Sequence, residues 1–167
     1  RRKPIWWFSS PIANPRHFVA EWTFGIQEEN LQKTVDEARS KGAQAVVLLS
    51  HNGMDVDLKL ASRVAGIDVI LGGHTHDAVP EPAAVKNRGG TTLVTNAGSN
   101  GKFLGVMDFD VKDGRLADYR YRLLPVFSNL LPADEEMAAL VGKLRAPFET
   151  RLQEPLAVTE GLLYRRG

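Results

Sequence analysis

The chain has 167 residues, of which 43% are hydrophobic and 25% charged, the balance of a globular chain of one-domain size. Its formal net charge is +1 with no basic block beyond the opening "RRKP", which argues against a nucleic-acid partner, because phosphates call for a clustered basic surface. No stretch approaches the roughly 20 apolar residues of a membrane span, and the lack of cysteine excludes disulfides, thiolate zinc sites and cysteine nucleophiles.

"RRKPIWWFSSP" pairs two arginines with an apolar run, but "IWWF" is shorter than the roughly 7–15 residues of an export signal. The chain begins at Arg1 and stops within "GLLYRRG", where an apolar run has just started; the expectation is a piece of a longer protein. "SPIANPRHFVAEW" holds two prolines and reads as extended chain or loop. "EENLQKTVDEARSKG" reads as a helix over 28–41, with Leu31, Val35 and Ala38 on one face, acids in the first turn and Gly42 at its stop. "AQAVVLLS" follows as a strand over 43–50 without polar alternation, which signals burial on both faces. "DVDLKLASRVAG" reads as a second helix, 55–65, with Leu58, Ala61 and Val64 inward. "IDVILGG" is a second buried strand, 67–72, so the series forms a parallel β-α-β unit.

"AVPEPAAVKNRGG" reads as a proline- and glycine-rich loop. Three strands come next, near 91–96, 103–111 and 116–125, the last two joined by the turn "KDGR". All five strands are expected in one sheet with both helices on one face. The run 128–134 is the expected domain boundary. "LPADEEMAALVGKLRAPFETRLQEP" then starts an amphipathic helix through Met137, Leu140, Val141 and Leu144, which Pro147 should kink or break.

The chemistry gathers at the two buried strand ends. "VVLLSHNG" places His51 just past the first strand, and "VILGGHTHD" places His74 and His76 past the second. Carboxyl ends of neighbouring parallel strands form the ligand crevice of α/β sheets, and neutral imidazole is a common ligand of Zn, Mn and Fe. In an extended segment His74 and His76 would face the same side. Gly53, Gly72 and Gly73 would allow tight turns and close backbone approach. Singly, each feature has a plainer reading: His51 as a hydrogen-bonded structural histidine, Gly-Gly as a turn. Their combination at two adjacent strand ends makes His51, His74 and His76 the candidate metal ligands. His17 reads as a surface or packing residue, and Trp6, Trp7 and Trp22 as core or interface anchors. "SNGKFLG" fits no phosphate-loop pattern. Three neutral ligands cannot balance two divalent cations, and a two-metal site calls for carboxylates. Asp55, Asp57 and Asp77 are near in sequence, but none is expected in the crevice. Asp55 and Asp57 read as helix-start acids favoured by the macrodipole.

"VVLLSHNGMDVDLKLASRVAGIDVILGGHTHD", with its Ser-His-x-Gly and Gly-His-x-His motifs and the later "AGSNGKFLG", resembles the second half of the metallophosphatase domain of the 5'-nucleotidase family, the calcineurin-like metallophosphatases. The resemblance runs over about 11–167. Through "NPRHFVAEWTFGIQEENLQK", "GGHTHDAVPEP" and "TNAGSNGKFLGVMDFDV" it leans to the thiosulfohydrolases of sulfur oxidation. It implies an α/β fold: the C-terminal half of a four-layer αββα sandwich over 11–128, whose second sheet comes from an N-terminal half. Residues 129–167 would be a linker helix and the start of a C-terminal domain, while residues 1–10 depart from the family. The resemblance implies two divalent metal ions, manganese in the family, with His51 and His74 on one and His76 on the other. The remaining ligands and the catalytic acid belong to Asp-x-His, Gly-Asp-x-x-Asp and Gly-Asn-His motifs that this sequence lacks, so no catalytic residue is assigned in it. The implied reaction is release of sulfate from the cysteine S-thiosulfonate of a carrier protein, in the periplasm, with neither nucleic acid nor membrane as partner. A 5'-nucleotidase or related phosphoesterase is the alternative enzyme. A folded module that binds metal weakly without turnover is the reading from a different class.

Overall fold

The computed structural model describes residues 16–18, 20–22 and 25–163. Trp6, Trp7 and the departing segment 1–10 lie outside the described residues. Two compact units divide between Val126 and Phe127.

The first unit is α/β. Arg16–Phe18 forms a single 3-10 turn where extended chain or loop was expected. His17 is exposed, with its ring 4.3 Å from that of Phe18. Helix α1, Glu28–Ser40, opens with Glu28 and Glu29, acids that offset the exposed N–H groups of a first turn. Strand β1, Val47–Leu49, helix α2, Met54–Ala61, and strand β2, Val69–Gly72, complete the β-α-β unit. Strand β3, Ala83–Asn87, and strand β4, Gly90–Asn96, follow. The sheet order is β1-β2-β4-β3, with β1, β2 and β4 parallel and β3 antiparallel to β4.

β3 corrects the reading of "AVPEPAAVKNRGG" as loop throughout. Its half-buried and exposed residues alternate, but Pro80 and Pro82 before it and two glycines after it masked that short alternation. The single five-stranded sheet is a second correction: β5, Phe103–Lys112, and β6, Arg115–Pro125, form a separate two-stranded antiparallel sheet. Asp113 and Gly114 join them at φ 49° and 74°, the pair of positive values a two-residue hairpin turn needs.

The core lies between the helices and one face of the sheet. Val35 of α1 and Val56, Leu60 and Ala61 of α2 pack with Val64, Ile67, Ile70 and Val94. Arg39 closes the end opposite the histidines: its guanidinium donates to the Asp68 carboxylate at 2.5 Å and to the carbonyls of Gly66, Ala43 and Gln44. On the other face the hairpin reaches the sheet through Tyr121, whose hydroxyl accepts from Thr95 Oγ1 at 2.9 Å. Farther along that face Val47, Leu49 and Leu71 are exposed, Leu49 to 77%. An apolar strand open on one face is what a partner sheet would cover. Trp22, expected as an anchor, is 65% exposed.

In the second unit Asp134 caps helix α3, Glu135–Arg145, by accepting from the Met137 N–H at 2.8 Å. Pro147 breaks the helix as expected: a 3-10 turn spans Ala146–Phe148 before the short α4, Glu149–Leu152. Met137, Leu140, Val141 and Leu144 are all exposed. No helix among the described residues is long and apolar enough to cross a membrane.

Candidate functional site

β1 and β2 are parallel neighbours in register, Leu49 opposite Leu71, so the residues after them emerge side by side. His51 and His74 meet there, ring centroids 5.1 Å apart and edge to face. They line a small cleft with Ile26, Asn52, Asp55, Val56 and Thr75. Asp55 is therefore in the crevice, contrary to expectation: the first turn of α2 carries it back over the strand ends.

His76 does not join this cleft, and the period-two argument for it fails. His74 and His76 have φ of 72° and 59°, left-handed values that turn the chain instead of extending it. Such values are uncommon outside glycine and mark sites held by their surroundings. Here the hold is visible. Thr75 Oγ1 accepts from the Met54 N–H at the start of α2 and donates to the Asp77 carboxylate. The turn is tied onward to the end of β4, where Gly98 N–H donates to the Asp77 carbonyl at 2.7 Å and Asn96 Nδ2 to the Gly73 carbonyl at 3.4 Å. No group of three His, Asp or Glu side chains among the described residues is gathered closely enough to hold a cation.

The glycines fit the site as clearances. A Cβ on Gly53 would lie 2.9 Å from the Thr75 methyl and 3.7 Å from the His74 ring, and one on Gly73 would lie 3.3 Å from the His51 ring. A Cβ on Gly72 would lie 2.7 Å from a carboxylate oxygen of Asp57. That aspartate is the residue that sequence reasoning placed wrongly. Instead of decorating the start of α2, Asp57 is fully buried. One oxygen accepts from Ser50 Oγ at 2.5 Å and the other has no hydrogen-bond partner among the described residues. Burial pushes its carboxyl above the ordinary value, against the opposing hydrogen bond from Ser50. Ser50 Oγ also accepts from Asn52 Nδ2 at 2.9 Å, so the hydroxyl bridges both flanks of His51. The available signal was the period of α2: Asp57 falls one residue from Val56 and three from Leu60, both buried.

No family model matches the chain. A sulfate thiohydrolase SoxB from Thermus thermophilus is similar in sequence and fold, with 44% identity and a TM-score of 0.82 over 93% of this chain and 28% of that one. A 5'-nucleotidase precursor, also from Thermus thermophilus, is 32% identical with a TM-score of 0.72, over 81% of this chain and 29% of that one. The chain belongs to the 5'-nucleotidase family of metallophosphatases. A trifunctional nucleotide phosphoesterase of Bacillus subtilis, YfkN, is 40% identical over 86 residues, 50% of this chain and 6% of that protein. The chain thus spans less than a third of the length of each of these relatives. Its α/β architecture, helices on one face of a mostly parallel sheet, is that of the family's fold.

Proposed function

We propose that this chain carries the histidine-bearing half of a divalent-metal centre in a hydrolase of the SoxB type. The substrate would be a carrier-protein cysteine S-thiosulfonate and the product sulfate. The observation that carries the reading is the edge-to-face approach of His51 and His74 at adjacent parallel strand ends, in a chain 44% identical to a SoxB. The donor set fits the group in part. Two imidazoles are juxtaposed with Asp55 in the same cleft, and Gly72 and Gly73, lacking side chains, admit the Asp57 carboxylate and the His51 ring against the strand end. His51 and His74 would hold one ion, and His76, two residues on, would reach a second. The remaining oxygen ligands and the catalytic acid would come from elsewhere in a longer protein. Bound cations at such a centre, manganese by family resemblance, would polarise the sulfone oxygens and supply a nucleophilic water near neutral pH. An extracytoplasmic, periplasmic setting goes with this reading.

The identity to a 5'-nucleotidase precursor and to a nucleotide phosphoesterase favours one second reading, phosphomonoester hydrolysis, since phosphoryl and sulfonyl groups are both tetrahedral oxyanions. Assay of the full-length protein with Mn²⁺, on AMP and on a thiosulfonated carrier peptide, separates the two. Sulfate release without AMP cleavage is expected; fast AMP cleavage without sulfate release would replace the thiosulfohydrolase reading. His51→Ala and His74→Ala should each lower turnover by more than about 100-fold, beyond what loss of an outer-shell partner does. Produced by itself, the 167-residue chain should bind Mn²⁺ weakly and turn nothing over, because a two-metal centre needs carboxylates to balance its charge. Calorimetric titration showing two submicromolar sites would contradict that.

A further inference from the structure

Asp57 is a fully buried carboxylate with one oxygen unpartnered among the described residues, and nothing in the hydrolytic reading uses it. Its surroundings give it a use. Its bonded oxygen holds the Ser50 hydroxyl, and Ser50 immediately precedes His51. Its free oxygen lies against Gly72, 2.7 Å from where a Cβ would stand, and the next residue, Gly73, lies against the His51 ring. The two strand ends are thus spaced by one side chain reaching up from α2: on one side through a hydrogen bond, on the other through contact with a bare backbone. Ser50 carries the constraint around His51, because its oxygen also receives the Asn52 side-chain amide.

We propose that Asp57, acting through Ser50 and against Gly72, is the positioning residue that sets the spacing of His51 and His74 for a divalent cation. The inference rests on the reading of those histidines as ligands, and it predicts which remote substitutions disturb them. A carboxylate that orients a histidine ligand from behind is a recurring device of metal sites, where loss of such a partner lowers affinity roughly 10- to 100-fold. Here the orientation is relayed through a serine and the main chain instead of a direct bond to the ring.

The test uses the full-length protein with Ser50→Ala, Ser50→Thr, Asp57→Asn and His51→Ala. Three quantities are read: Mn²⁺ affinity by calorimetry, the cross-relaxation between the His51 and His74 ring protons in metal-free protein labelled at histidine, and the melting temperature. Ser50→Ala and Asp57→Asn are expected to weaken Mn²⁺ binding roughly 10- to 100-fold and to weaken the ring-to-ring signal. Ser50→Thr, which keeps the hydroxyl, should stay within about threefold of the parent in affinity. Parental affinity and ring-to-ring signal in both Ser50→Ala and Asp57→Asn, with only the melt lowered, would overturn the proposal and leave Asp57 a stability residue. If His51→Ala binds Mn²⁺ as the parent does, the ligand reading fails by itself. The ring-to-ring signal in Ser50→Ala then still decides the positioning claim. If Asp57→Asn does not fold, the contrast between Ser50→Ala and Ser50→Thr decides it.

Discussion

At the end of β1 the chain turns through Ser50, whose hydroxyl sits between the Asp57 carboxylate and the Asn52 amide, and the imidazole of His51 follows from that anchor. At the end of β2 the chain turns with main-chain conformations instead: Gly72 without room for a side chain and Gly73 with little, then His74 and His76 at positive φ. One histidine is anchored by hydrogen bonds among side chains, the other chiefly by close backbone packing, with the Thr75 hydroxyl tying its turn. The difference shows how each end should fail. A hydrogen-bond anchor loses one bond of roughly 1 kcal/mol when a partner is removed, whereas a clearance fails by overpacking, which costs more because the backbone itself must move.

The largest effect should come from Gly72→Ala. The new Cβ would meet the buried Asp57 carboxylate at 2.7 Å and the Thr95 carbonyl at 3.2 Å, and we expect a loss of about 3 kcal/mol, read from the urea midpoint. A loss under about 0.5 kcal/mol would mean that the β2 end is not close-packed and would break the comparison. Gly53→Ala should follow at about 2 kcal/mol. Its φ of 98° strains any side chain, and its Cβ would press the Thr75 methyl at 2.9 Å, with no main-chain atom among its close neighbours. Thr75→Val should cost about 1 kcal/mol, since it removes the acceptor of the Met54 N–H and the donor to Asp77. If Thr75→Val proved costlier than both glycine changes, the β2 end would be held by side chains after all.

The smallest effect is electrostatic. Burial raises the Asp57 carboxyl above its ordinary 3.8, so the folded chain binds that proton more tightly than the unfolded chain. The stability this lends is fully present below about 3.8 and is lost as pH rises through the raised value. Asp57→Asn carries no such loss, so its stability relative to the parent should climb between pH 3.5 and pH 7 in metal-free protein. Urea midpoints at several pH values read this; parallel curves for parent and variant would show that the carboxyl is not perturbed.

Much of this organisation follows from sequence alone, because it depends on local periodicity and on residue chemistry at fixed offsets. α1 and α2 are marked by apolar spacing, β1 and β2 by unbroken apolar runs, the hairpin turn by "KDGR", the break in α3 by Pro147, and the strand-end position of His51 and His74 by where those runs stop. Only the tertiary structure decided the rest. Whether Asp57 faces solvent or strand depends on how α2 is rotated against the sheet, since an acid early in a helix suits the macrodipole and a buried hydrogen bond alike. Whether His76 shares a face with His74 depends on left-handed dihedrals that the contacts of Thr75 with Met54 and Asp77 impose. Strand β3 exists because Ala83–Asn87 finds the edge of β4, a partner that no run of five residues names. Local pattern prescribes which elements form; the direction in which a polar side chain points is set by neighbours that only packing brings together.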